Sequence, residues 1–164
     1  MNRKVFIAVI GGAKSGKTTI VRSLTGCSFG WPKKGDFVID RVDGRKIFVI
    51  DKSPQESSLS EKGFKKALGR CAREASAVGM VVAMQPTEPT SRLSMEEIFE
   101  AVSAHRFSPL ALVLDPGYNG QTNGRSTKEI RRRLNRFGVV VKRLDGRHFA
   151  HLNARRIRKI ARIP

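Results

Sequence analysis

The chain has 164 residues, 40% of them hydrophobic, and carries 32 Lys and Arg against 14 Asp and Glu, a net charge of +18. That length and composition describe one globular domain and exclude a disordered or fibrous chain, and no apolar run approaches the roughly 20 residues needed to cross a bilayer. The charge is concentrated: residues 125–164 hold 14 basic groups opposed by Glu129 and Asp145 alone, a net +12, which favours a polyanionic partner such as RNA, DNA, a ribosome or an anionic membrane surface.

From the N-terminus, Arg3 and Lys4 before an apolar stretch imitate a secretory leader, but Lys14 and Lys17 break the pattern at once. Cys27 and Cys71 make neither a disulfide framework nor a CxxC pair, so a reduced, cytoplasmic protein is expected. Lys4 to Ile10 is a β-branched run that ends in glycines, which predicts a buried strand. Residues 17–25 predict a helix with Ile20, Val21 and Leu24 on one side. Asp36 to Arg41 and Lys46 to Asp51 are strand-like and flank Val42-Asp43-Gly44-Arg45, whose Asp-Gly step predicts a hairpin turn. Ser58 and Glu61 predict a capping box ahead of Phe64, Ala67, Leu68, Cys71, Ala72 and Ala75, a helix with one apolar face.

Val78 to Met84 is the next predicted strand, and Ser94 with Glu97 opens a helix carrying Ile98, Ala101 and Val102. Pro109 to Leu114 predicts a strand. Ser126 and Glu129 cap a helix with Ile130, Leu134 and Phe137, which Gly138 stops. Val139 to Leu144 is the last strand. A closing helix places Ala154, Ile157 and Ala161 inward and Arg155, Lys159 and Arg162 outward. Strands alternating with helices, without repeat or linker, predict one domain over residues 1–164. Its architecture is an α/β three-layer sandwich with a mostly parallel sheet, helices on both faces and one antiparallel hairpin strand.

The chemistry lies first in Gly11-Gly12-Ala13-Lys14-Ser15-Gly16-Lys17-Thr18, which fits GxxxxGKS/T at every required position, after a strand and at the mouth of a helix. Glycines let the backbone curl so that N–H groups point at phosphate oxygens, and the helix N-terminus adds partial positive charge. Lys17 is expected to reach the β and γ phosphates and the Thr18 hydroxyl to ligate magnesium, with Thr19 completing the nucleotide-binding stretch.

With this loop, its helix up to Gly26, the hairpin, and Asp51-Lys52-Ser53-Pro54-Gln55-Glu56 in place of a DxxGQE stretch, the chain resembles the Ras-like small GTPases. The resemblance covers nearly the whole chain. It implies a P-loop NTPase sandwich with a six-stranded sheet, GTP or GDP as ligand, Mg2+ as cofactor, Asp51 holding a magnesium-bound water and Gln55 orienting the attacking water. ATP and ADP stay open. Three departures stand out. Pro54 replaces a glycine and has no N–H to donate to a γ phosphate. No threonine lies between Gly26 and Ile50, where Ser28 is the one hydroxyl. The guanine-reading NKxD is replaced by Asp115-Pro116-Gly117-Tyr118, which leaves Asp115 or Asp145 as the carboxylate for guanine and Tyr118 as a ring to stack on the base.

Other residues carry less. His148 and His151, three apart, lack the further ligands of a metal site, and Cys71 on an apolar helix face reads as core. Lys14 adds a cation to the phosphate loop, and Trp31 faces a partner or anchors its own loop. Arg125, Arg131, Arg132, Arg133 and Arg136 surround one helix, as arginines do on the lid of a small-molecule P-loop kinase. Three functions therefore compete: a weak Mg-dependent NTP hydrolase of GTPase type, a basic nucleic-acid- or ribosome-binding module with a structural or regulatory nucleotide, and a small-molecule kinase.

Overall fold

The structure is a computed structural model that describes residues 3–26, 35–39, 44–55, 57, 59–86, 93–122 and 124–161. Its elements run β1 (Val5–Ile10), α1 (Lys17–Thr25), β2 (Asp36–Ile39), β3 (Lys46–Ile50), α2 (Glu61–Arg73), β4 (Ala77–Met84), α3 (Met95–Ala104), β5 (Ser108–Leu114), α4 (Thr127–Leu134), a 3-10 turn (Asn135–Phe137), β6 (Val140–Leu144) and α5 (Ala150–Ala161). Six strands form one sheet in the order β2-β3-β4-β1-β5-β6. β2 and β3 are antiparallel and all other pairs parallel, with Ile7 of β1 facing Val81 on one side and Leu110 on the other.

β1 is central and buried on both faces, which is why its sequence is continuously apolar. Phe6, Ala8 and Ile10 point to one layer, where Phe64 and Leu68 of α2, Ile98 and Phe99 of α3 and Ile130 and Leu134 of α4 pack. Phe6 meets Phe64 and Phe99 edge-on at centroid distances of 6.4 and 5.6 Å. Ile7 and Val9 point to the other layer, filled by Ile20, Val21 and Leu24 of α1 and Ala154 and Ile157 of α5. The three-layer α/β sandwich follows directly from these two apolar faces.

Caps set the helix starts. Ser94 and Glu97 make the full reciprocal box at α3. At α4, Ser126 accepts from Glu129 N, while the Glu129 carboxylate turns to Arg125 instead. The expected Ser58–Glu61 box is corrected: Ser60 is the cap, accepting from Gly63 N, and Glu61 is the first helical residue. Glycine in the third helical position has no side chain to complete a box. Ser58 itself lies outside the described residues, as do Cys27, Ser28, Trp31, Val42, Asp43, Glu56 and Arg162. Among the described residues no helix is long and apolar enough to cross a membrane.

β1 sends its connection through α1 toward the β2–β3 edge, whereas its neighbour β5 sends its own through α4 toward β6. In open α/β sheets the crevice outside the carboxyl ends of two such strands is where ligands bind. The phosphate loop leaves β1 at that point.

Candidate nucleotide site

The loop from Gly11 to Gly16 owes its shape to missing side chains. A Cβ on Gly11 would stand 2.3 Å from Ser15 Oγ, so any larger residue displaces the buried serine. Gly16, with φ of 88°, turns the chain into α1. Lys17, the first helical residue, is 4% exposed, and its Nζ donates to Gly12 O at 3.0 Å, which curls the ammonium over the loop. Lys14 is exposed at the loop tip with φ of 57°, a left-handed conformation that an L side chain adopts at a cost. The first turn of α1 carries no acidic residue, so nothing on that turn offsets the partial positive charge of its N-terminus.

Two further loops are stacked against this one. Tyr118 N donates to Ser15 O at 2.9 Å, and Gly146 N donates to Pro116 O at 2.8 Å. A Cβ on Gly117 would lie 2.9 Å from Ser15 Cβ, and one on Gly146 would lie 2.9 Å from backbone atoms of residues 116–118. These glycines allow the contact, and sequence reasoning missed both. The result is a cleft of about 910 Å³ that runs from Lys14, Lys17 and Thr19 past Tyr118 and Gly146 to Phe149. Tyr118 and Phe149 are 69% and 74% exposed, two aromatic rings presented at the same opening. Phe149 was also missed; its only sequence signal is an aromatic just after the glycine turn that follows the last strand.

Thr18 and Asp51, the two residues expected at magnesium, are brought together. Thr18 Oγ1 donates to the Asp51 main-chain oxygen at 3.1 Å. The Asp51 carboxylate, however, is bound by Arg22, whose Nη2 lies 3.0 Å from Oδ2. No group of three or more His, Cys, Asp or Glu suited to a metal occurs among the described residues. A hydroxyl and a carboxylate already paired with a guanidinium do not fit a dication as the resemblance implies.

Gln55 is 2% exposed and turned inward. Its Oε1 accepts from Ser53 Oγ at 2.5 Å and from Gln85 N at 3.4 Å. Gln85 follows β4, the strand that lies between β3 and β1, so the segment after β3 docks on the end of β4 and is one strand removed from the loop strand. Pro54 is buried beside it, and Ser57 N closes the turn on Ser53 O at 2.9 Å.

The two carboxylates expected to read guanine are engaged within the protein. Asp115 accepts from Thr122 Oγ1 at 2.5 Å and from Thr127 Oγ1 at 2.8 Å. Burial pushes its pKa up, but the bonds from Thr122 and Thr127 and the nearby Arg143 outweigh that and hold the carboxyl below its ordinary value. Asp145 is gripped by Arg147, with Nη2 at 2.7 Å from Oδ2 and the Arg147 N–H at 3.0 Å from Oδ1, which also lowers its carboxyl. His148 and His151 are exposed, and the His151 ring stacks on Phe149 at 5.8 Å. Cys71 is buried, donates to Gly79 O at 3.3 Å, and is pushed up to about 12 by burial, as expected of a core thiol.

No protein-family model and no curated protein matches the chain. Among solved structures it is similar to a de novo designed protein of P-loop NTPase fold determined by solution NMR, at a TM-score of 0.50 and 11% identity, covering 96% of this chain and 90% of that one. At that identity the likeness speaks to fold alone. Together with the six-stranded sheet and its two helical layers, it gives this chain a P-loop NTPase-like fold.

Proposed function

We propose that this chain binds a nucleoside triphosphate at the 11–18 loop and hydrolyses it slowly, as a weak relative of the GTPase type. One observation carries the reading: a glycine-shaped loop with Lys14 and Lys17 at a helix N-terminus opens on a 910 Å³ cleft at the switch point of the sheet. Tyr118 and Phe149, both lining that cleft, suit a base held by its ring faces. With Asp115 and Asp145 both engaged, such a site selects weakly between guanine and adenine. Gln55 held against Ser53 and Gln85 supports slow turnover. Binding titrations with GTP, GDP, ATP and ADP test the first claim; no binding of any of them overturns it. Phosphate release without an acceptor tests the second, and strict dependence on an acceptor replaces hydrolysis by phosphoryl transfer.

A second reading has its own observation. Lys128, Arg132, Lys142, Arg155, Arg156 and Lys159 are exposed and form no ion pair among the described residues, and they lie on α4, β6 and α5, which together make the β6 end of the sheet. This supports RNA, DNA or ribosome binding at that end, with the nucleotide in a regulatory place.

A further inference from the structure

Thr18 and Arg22 stand four residues apart on α1, hence on one side of the helix, and both reach the end of β3. Arg22 meets the Asp51 carboxylate at 3.0 Å, with the two side chains 20% and 2% exposed. Each partner is held on a rigid element, Arg22 in the last turn of α1 and Asp51 directly after β3, and the Thr18 bond to the Asp51 main chain fixes their spacing. Lys14, Lys17 and Arg22 all line the same cleft. A hydrated dication at Asp51 would have to share one buried carboxylate with the guanidinium already bonded to it. Octahedral magnesium with its waters also needs room that the arginine takes.

We propose that Arg22 supplies the positive charge that a divalent metal would otherwise supply here, so that the site binds nucleoside triphosphate independently of magnesium. The inference rests on the reading that the 11–18 loop takes a nucleotide, and it adds a specificity-determining residue to that site. Its consequence is chemical: the site takes the triphosphate with or without a metal on its phosphates, because it makes no bond to the metal, and Arg22→Gln should convert the site to a metal-requiring one by freeing Asp51.

The test has two arms on the full chain. In the first, ATP and GTP affinities are measured calorimetrically in excess Mg2+ and in excess EDTA. The wild type should change by less than about threefold, whereas Arg22→Gln should bind about tenfold or more tightly with Mg2+ than without it. A wild-type affinity that collapses on chelation, or a variant as indifferent to Mg2+ as the wild type, overturns the proposal. In the second arm Mn2+ alone is titrated and followed by electron paramagnetic resonance. Arg22→Gln should take up the ion and the wild type should not; equal uptake by both overturns the proposal. Arg22→Lys, which keeps the charge if Arg22→Gln fails to fold, should behave as the wild type in both arms. Absence of nucleotide binding under every condition would overturn the proposed function, and the Mn2+ arm would still decide whether Arg22 closes Asp51 to metal.

Discussion

Lys14 and Lys17 flank the phosphate loop on opposite terms. Lys17 is buried and already bonded to Gly12 O, so it is held in place before any ligand arrives. Lys17→Ala removes a charge-assisted contact worth about 1.5–3 kcal/mol, and triphosphate affinity should fall by about one to two orders of magnitude in a variant that stays folded. Undiminished affinity in a folded variant would move the site elsewhere. Lys14 holds φ at 57°, which costs about 1 kcal/mol for a side-chain-bearing residue. Lys14→Gly should therefore raise thermal stability while weakening phosphate binding, a split that calorimetry and titration read separately. At Asp51 the balance is reversed. Arg22→Ala strands a buried carboxylate, so it should cost about 2–3 kcal/mol in denaturant unfolding, and adding Asp51→Asn should recover part of that loss.

The elements that meet at the cleft are coupled by Asp115. It ends β5, its carboxylate accepts from the Thr127 backbone N–H at 3.3 Å and the Thr127 hydroxyl at 2.8 Å, and so it ties the strand to the first turn of α4. Because the folded protein holds this carboxyl below its ordinary value, its stabilising contribution is complete above about pH 4 and is lost as pH falls below that. Acid unfolding followed by circular dichroism should begin at a higher pH in the wild type than its neutral stability alone implies, and Asp115→Asn should reduce that pH dependence while lowering stability at neutral pH. Most elements were legible because helix and strand periods are local: residues 17–25 are predicted and found as the same helix, and the Ser94–Glu97 box is found in full. Strand order was not legible. An apolar parallel strand shows what is buried but not which neighbour buries it, so nothing before the fold placed β4 between β3 and β1. That insertion is what turns Gln55 toward Gln85. The loop contacts of Gly117 and Gly146 were hidden for the same reason, since close approach is a property of three distant segments together.

At the scale of the whole molecule the positive charge gathers at one end of the sheet. β6 is an edge strand with α4 on one face and α5 on the other. Arg131 already covers one edge carbonyl, Val141 O, at 3.4 Å, and Lys142 and Arg143 make that edge unattractive to another strand. Edge protection explains the charges on β6 but not those on the outer faces of the helices. Ile130 and Leu134 face inward on α4, and Ala154 and Ile157 on α5, so Arg132, Arg136, Arg155 and Lys159 are exposed. They can therefore be neutralised without touching the core. If this end binds nucleic acid, these side chains meet phosphates rather than base edges. Replacing the four by Gln should weaken unrelated RNA and DNA sequences by similar factors, and each lost phosphate contact should flatten the log–log salt dependence by roughly 0.7–0.9. None of the four lines the cleft beside the phosphate loop, so nucleotide affinity should be unchanged in the same variant. Anisotropy titrations at several salt concentrations, paired with a nucleotide titration, measure both. Absence of binding to RNA, DNA or ribosomes even at low salt would assign the helix charges to solvation and the β6 charges to edge protection, whereas joint loss of both affinities would place the polyanion and the nucleotide in one continuous site.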